Sequence, residues 1–512
     1  MVSFVVVLLV VIALIAAVIN GENSSIKRSD FPDGFLFGVS TSSYQIEGGY
    51  LEDGKSLNNW DVFALYPGGI EKGENGFIAD DHYHRYLKDI EIVQSLGVDA
   101  YRFSISWARV LPRGRFGEVN PNGIMFYNKI LDELVLRGIK PFVTIFHHDI
   151  PQELEDRYGS WLSPLMQEDY VHFAETCFKN FGDRVKNWIT INEPNLFAQM
   201  GYQNGIYPPA RCSQPFGYCS AGNSDIEPLI VMHNLLLAHG KAVRLYRKDY
   251  QSEQDGLVGI VLNCIMYEPM TDDDLDKEAA NRALAFDIGW VLDPLIFGNY
   301  PSEMRKYLGN QLPRFSVAES NYIRDGIDFI GVNHYATLYA KGCIHSSSSC
   351  SLTGNRSIKG FVDFSTEKDG VPIGESTGID VMKVVPRGIG EVIEYLNKRY
   401  HNKPTFVTEN GYSEPEVQDQ VPIILHDDKR IEFHKAYMSS IAQAIRNGAD
   451  VRGYFLWTLM DDFEWNHGYL LKFGLYYVDR KTLNRIPKLS ARWYQDFLIN
   501  NTLASNIQLA VS

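Results

Sequence analysis

The sequence predicts an α/β protein, a single (β/α)8 TIM barrel with long βα loops, on three observations. Short β-branched or aromatic runs that end in polar residues recur along the chain, and eight can be counted. Segments with helical period separate them, and apolar strands alternating with helices form a parallel sheet covered by those helices. No internal repeat, charge block or long linker divides the 512 residues. An open doubly wound sheet would want a Gly-rich phosphate turn at its first crossover, which this chain lacks.

The runs, in order, are FLFGVSTSSYQIEG from Phe35, DAYRFSISW from Asp99, KPFVTIFHHD from Lys140, NWITINEPN from Asn187, GLVGIVLNCIMYEP from Gly256, IDFIGVNHYAT from Ile327, PTFVTENG from Pro404 and VRGYFLWTLMDDFEW from Val451. Between the first two, Asp80 and Asp81 offer a helix N-cap. Tyr83, Tyr86, Leu87, Ile90, Val93 and Leu96 then mark one helical face, and Gly97 supplies a stop. Similar stripes follow at Ile130, Leu131, Leu134 and Val135, and at Ile389, Val392, Ile393 and Leu396. In such a barrel the functional residues come from the C-terminal ends of the strands.

Met1 to Ile19 is apolar except for Ser3 and reads as a secretory signal segment. The expected division is therefore 1–22 signal peptide and 23–512 barrel, with a retained membrane anchor as the alternative, since the run sits at the lower edge of spanning length. After signal removal no membrane association is expected. The cysteines agree with secretion. Cys212 with Cys219 and Cys343 with Cys350 share C-x6-C spacing in Gly/Ser/Pro-rich loops and read as two local disulfides, whereas Cys177 and Cys264 read as buried thiols. Asn23, Asn355 and Asn500 begin N-x-[ST] sequons, glycosylation sites usable along the same route. The chain ends NIQLAVS without a KDEL-type signal, which favours the apoplast (cell wall) or vacuole.

With 48 Lys+Arg against 63 Asp+Glu, the net charge of −15 argues against a nucleic-acid partner. Several motifs also lose their meaning in context. Gly49 to Ser56 matches a P-loop expression, but Glu52 and Asp53 would stand where backbone N–H groups must cradle phosphate. The acidic run from Asp272 to Asp276 lacks the glycine and glutamate of a calcium loop and reads as a solvated helix start. His82/His84 and His147/His148 lack the i, i+4 spacing of helical zinc ligands, so no metal is expected. No cofactor motif remains.

The polar ends of the runs gather Gln45, Arg102, His147, Asn192, Glu193, Asn333, Tyr335, Glu409, Trp457, Glu464 and Trp465 at one mouth. Glu193 and Glu409 each close an apolar strand, on opposing sides of the ring. Glycosidic cleavage requires such a pair, one carboxyl held protonated and the other ionised. Each could instead pair with a cation at the rim.

TINEPN at Thr190 to Asn195 and VTENG at Val407 to Gly411, together with SSYQIEGG, YRFSISW, DDFEWNHGY and FGLYYVD, resemble the signatures of glycoside hydrolase family 1, the β-glucosidase family, in its plant form. The likeness runs from about Phe35 to about Phe497. It implies Glu409 as nucleophile, Glu193 as acid/base and retention of configuration, with the pair about 5 to 5.5 Å apart. Asn192 is similar to the residue that holds the sugar 2-OH. Arg102 and Tyr335 resemble groups that orient the nucleophile. Gln45, His147, Glu464 and Trp465 match the ring-hydroxyl clamp, and Trp457 the platform under the pyranose. Glu464 disfavours phosphorylated sugars, and the presence of Glu193 disfavours thioglucosidase chemistry. The implied partner is a small β-glucoside.

The aglycone side departs from the plant pattern. His148 stands where relatives usually carry Trp, and GESTGIDVMKVVPRG supplies Val381 in place of a large Trp platform. Met200, Tyr207 and Asn466 fall at aglycone positions. DIPQELEDRYGSWL and the second Cys pair look most like the coniferin, or monolignol, β-glucosidase branch, so a phenolic or phenylpropanoid glucoside is expected. A transglucosidase using the same intermediate and a catalytically silent sugar-binding barrel are the alternatives.

Overall fold

A computed structural model of the chain describes residues 26–345, 349–416 and 421–509, the last ten as backbone only. The proposed signal segment 1–22 and Asn23 lie outside the described residues, as does the side chain of Asn500. Eight parallel strands close a barrel: β1 Leu36–Ser40, β2 Ala100–Ser104, β3 Lys140–Phe146, β4 Asn187–Asn192, β5 Leu257–Asn263, β6 Phe329–Asn333, β7 Thr405–Asn410 and β8 Val451–Trp457. Each lies within one of the eight runs read from the sequence. β1 pairs with both β2 and β8, so the ring has no open edge.

One layer of the barrel interior takes a residue from every strand. Leu36, Ala100, Phe142, Ile189, Val261, Phe329, Phe406 and Phe455 pack together, with Phe142 and Phe455 ring centroids 4.7 Å apart. Glycines on neighbouring strands make room for the rings: a Cβ on Gly38 would lie 2.4 Å from Phe455, and one on Gly259 2.5 Å from Phe329. This plug seals the barrel, so polar groups at the C-terminal strand ends face only the mouth.

The outer ring comprises α1 His82–Ser95, α2 Pro121–Leu136, α3 Leu165–Phe181, α4 Glu227–Asp249, α5 Ile288–Phe297, α6 Pro386–Arg399, α7 Asp428–Arg446 and α8 Leu489–Leu509. In α6 the predicted stripe Ile389, Val392, Ile393 and Leu396 is buried. Two positions assigned to stripes face outward instead: Leu87 is 43% and Val135 50% exposed. In α1 the buried face includes Asp89, whose carboxylate receives both Arg485 nitrogens (2.7 and 2.8 Å) and faces His82 Nδ1 at 2.8 Å. The expected cap is also corrected. Asp81 holds the N-cap position but in left-handed conformation and without a side-chain cap, its carboxylate going to His84 and Arg85. Asp273, by contrast, caps the helix Asp274–Phe286 through the Leu275 N–H. Lys55 of the P-loop-like string is buried and paired with Asp61 at 3.1 Å.

The long βα loops fold over the mouth. A three-stranded sheet of Met266–Pro269, Thr337–Gly342 and Val362–Ser365 rises beside it. Both expected disulfides form, Cys212–Cys219 and Cys343–Cys350, and Cys177 and Cys264 are buried and free. Among the described residues, no helix is long and apolar enough to cross a membrane.

Arg485 carries the sharpest consequence for stability, because it ties the C-terminal segment to the first βα unit with both partners buried. Arg485→Met would leave the buried Asp89 carboxylate facing His82 without its guanidinium, and breaking such a pair costs about 3–5 kcal/mol. The expected result is a thermal unfolding midpoint well below that of the parent chain; an unchanged midpoint would show that the pair does not hold the termini.

Candidate active site

Backbone geometry brings the two glutamates to the mouth. Glu193 follows β4 directly, and Pro194 starts the helix Pro194–Tyr202 with its fixed φ. Between strand and helix Glu193 adopts φ 46°, ψ 56°, a left-handed conformation unusual for a side chain of this size. Glu409 lies inside β7, where the register shifts against both neighbouring strands. Such bulges re-aim side chains beside active sites. Both carboxyls are nearly fully buried, at 5% and 4% exposure.

A continuous chain of hydrogen bonds joins them. Tyr335 OH donates to Glu409 Oε2 at 2.8 Å, and Arg102 Nη1 donates to Glu409 Oε1. Arg102 Nη2 donates to Asn192 Oδ1 at 2.7 Å. Asn333 Nδ2 donates to the same Asn192 oxygen at 3.1 Å and to Glu193 Oε1 at 2.9 Å. Thr408 Oγ1 in turn donates to Asn333 Oδ1 at 2.8 Å, which fixes the orientation of that amide. β2, β4, β6 and β7 thus meet through side chains above the apolar plug.

The two glutamates sit in different electrostatic settings. Glu193 has one neutral amide donor, and burial, reinforced by the nearby charge of Glu409, pushes its carboxyl up to about 8. Glu409 faces a guanidinium and a phenol, two donors that serve a carboxylate anion. The phenol of Tyr335 is itself pushed far above its ordinary range by burial and then by Glu409, so it stays a donor.

Around this pair the remaining predicted residues form one pocket wall. Gln45 Nε2 donates to Glu464 Oε2 at 3.3 Å and to the Phe463 carbonyl at 3.0 Å, while Ser42 holds its oxygen at 2.6 Å. Burial first, and Glu409 second, raise the Glu464 carboxyl to about 8. His147 is nearly parallel to Trp457 and to Trp465, with centroids 6.1 and 6.0 Å away, and its Nε2 lies 3.3 Å from Asn192 Nδ2. Burial holds His147 well below its ordinary range, so it stays neutral.

The aglycone positions separate. Tyr207 packs edge-on to Trp60 and against Trp465, and Met200 is half-buried on the helix that follows Glu193. Asn466 donates to the Gly69 and Ile206 carbonyls, latching two mouth loops together. Val381 is 42% exposed, and its neighbours Ile379 and Met382 are the ones packed, like Tyr335, against the cluster of Trp457, Leu471 and Phe473. Sequence reasoning counted along that loop and could not see which side chains its bend turns inward. It also left Asn333 as one strand end among several, although that amide touches Glu193 directly; its position two residues before Tyr335 was the available signal.

Comparison with known proteins agrees with this geometry. The family model described as glycosyl hydrolase family 1 matches residues 27–503. A rice (Oryza sativa subsp. japonica) protein described as probable inactive beta-glucosidase 14 is 53% identical, the match spanning 94% of this chain and 93% of its own length. The coniferin beta-glucosidase of Pinus contorta is 47% identical over 92% of each chain. Among solved structures, a mutant of rice Os3BGlu6 beta-glucosidase in covalent complex with Glc superposes with a TM-score of 0.89 at 42% identity, covering 92% of this chain and 99% of that one.

The asymmetry between the carboxyls can be measured by 13C NMR titration with labelled glutamate. Glu409→Gln removes the charge that contributes to the rise, so Glu193 should titrate lower than in the parent chain. It should remain above the ordinary carboxyl range, because burial is the larger cause. An unchanged Glu193 titration would show that the two groups do not sense one another.

Proposed function

The chain is a β-glucosidase belonging to glycosyl hydrolase family 1, and we propose that it hydrolyses small phenolic or phenylpropanoid β-glucosides with retention, through a glucosyl group held covalently on Glu409. The observation that carries this reading is the hydrogen-bond chain of Arg102, Asn192 and Asn333 linking two buried carboxyls in unlike settings.

In the first step a Glu409 oxygen attacks the anomeric carbon while Glu193 passes its proton to the glycosidic oxygen, and the aglycone leaves as the alcohol. Glu193, now ionised, then takes a proton from water as the water oxygen attacks the same carbon, releasing β-glucose and restoring both groups. Bonding of Glu409 to sugar removes a negative charge beside Glu193, which lowers its proton affinity when it must act as base. Arg102 and Tyr335 hold the nucleophile. Asn192 serves the 2-OH, Gln45, His147, Glu464 and Trp465 serve the outer hydroxyls, and Trp457 lies against the ring face. A phosphate at that end would meet Glu464 unfavourably, and a thioglucoside would not need the acid that Glu193 supplies.

On the leaving side, Met200, Tyr207, Ile379 and Met382 offer apolar and partly adaptable surface where a rigid indole wall was expected of plant relatives. Similarity to the pine coniferin beta-glucosidase supports a phenylpropanoid there. The apolar leader and the two disulfides support a secreted glycoprotein of the cell wall or vacuole. The description of the rice relative as inactive raises the alternative of a silent sugar-binding barrel; release of glucose from an aryl β-glucoside separates the two, and product analysis with an added alcohol separates hydrolysis from transglucosylation.

Inactivation by a 2-deoxy-2-fluoro-glucoside followed by peptide mapping should place the label on Glu409, and label elsewhere would overturn the nucleophile. Glu193→Gln should lower kcat/KM for glucosides with poor leaving groups by about 10²–10⁴-fold, the usual worth of a general acid, while kcat/KM for activated aryl glucosides, which reports only the first step, falls far less. Equal losses would make Glu193 structural.

A further inference from the structure

The acid/base glutamate stands on backbone that needs outside support. A non-glycine residue in the left-handed region costs on the order of 1–3 kcal/mol and persists only where its surroundings over-determine it. For Glu193 the local supports are two main-chain bonds, its N–H to the Val261 carbonyl at 2.8 Å and its carbonyl to the Phe197 N–H at 2.9 Å. Its carboxyl has a single side-chain partner among the described residues, Asn333. The Phe197 bond belongs to the helix Pro194–Tyr202 itself, and these contacts do not tie the residues that follow Glu193 to a neighbouring element.

Asn195, two residues on, supplies that fixation. Its Nδ2 donates to the Asn263 carbonyl at 2.7 Å and to Asp287 Oδ1 at 2.5 Å, and its Oδ1 accepts from the Asn263 N–H at 3.3 Å. One amide therefore reads both polar groups of the last residue of β5 and a carboxylate beyond it. Asp287 sits at the break between the helices Asp274–Phe286 and α5, with 3% exposure. Its second oxygen faces Tyr267 OH at 3.2 Å and the Ile265 N–H at 3.4 Å, and Lys359 lies close enough to favour its charge. Burial opposes that charge and lifts the carboxyl to about 6. Asp287 is thus joined to both the strand Met266–Pro269, through Tyr267, and α5, and neither it nor Asn195 hydrogen-bonds Glu193 or Glu409.

We infer that Asn195 and Asp287 are positioning residues for proton transfer, a buried amide–carboxylate clamp that holds the helix start so that the Glu193 carboxyl meets the glycosidic oxygen. The inference rests on Glu193 being the acid/base. Misplacement by about 1 Å can cost roughly 10²-fold in a reaction that depends on it. Loosening the clamp should therefore harm the proton-requiring step and spare attack by Glu409, which β7 carries independently.

The test is kcat and KM for Asn195→Ala and Asp287→Asn across aryl β-glucosides of graded leaving-group acidity, beside Glu193→Gln. Asp287→Asn keeps the shape but turns one acceptor into a donor facing its present donors. Circular dichroism melting and the fraction of sites labelled by a 2-deoxy-2-fluoro-glucoside report on folding. The clamp predicts kcat/KM losses of roughly tenfold or more for poor leaving groups and less than about twofold for 2,4-dinitrophenyl glucoside, whose departure needs no proton, whereas kcat for the latter falls with the water-attack step that Glu193 also serves. Losses equal across the series, or none, in both variants would overturn the clamp while leaving the acid/base reading intact if Glu193→Gln still discriminates. A flat series for Glu193→Gln would overturn that reading itself.

Discussion

Arg102 is the group on which the site depends. Its side chain has no solvent exposure, and a guanidinium placed there needs partners to offset the loss of water. It finds them in Glu409 and Asn192, one on β7 and the other on β4. Asn192 then orients Asn333 of β6, which reaches Glu193. Removing any member would leave a buried polar or charged neighbour unsatisfied, so the network holds its shape without substrate. Above an apolar plug made from all eight strands, this constraint decides where the two carboxyls stand.

The same arrangement explains how two identical side chains take opposite roles. Glu409 receives the guanidinium and a phenol; Glu193 is buried, receives one amide and lies near the like charge of Glu409. Coupling between them lets Glu193 change from acid to base, because neutralising Glu409 relaxes its neighbour. Glu464 belongs to the same field, its carboxyl raised by burial and in part by Glu409.

Much of this was legible in the sequence because a barrel strand must be apolar along its length and polar only at its end. That pattern exposed all eight strands and placed Glu193, Glu409, Arg102 and Tyr335 at one mouth. Disulfide spacing was equally direct, since a short loop leaves a cysteine one near partner. Long-range pairing was not legible. Asp89 is a charged helical residue beside an apolar stripe, and its burial is explained by His82 together with the return of Arg485 from the far end of the chain. Loop bends were also beyond reach: Val381 was the residue reached by counting, whereas Ile379 and Met382 are the ones packed on the cluster of Trp457, Leu471 and Phe473. Asn195 read as the tail of a motif until the fold brought Asp287 to it.

If Glu409 attacks the anomeric carbon from one side of the sugar and water, activated by Glu193, later attacks it from the other, two displacements restore the starting configuration. Proton NMR of the first glucose released from an aryl β-glucoside, followed before mutarotation, reports this directly. The β-anomer should appear first, and the α-anomer only as it equilibrates. Initial release of the α-anomer would mean a single displacement by water, and neither glutamate could then hold the role assigned to it.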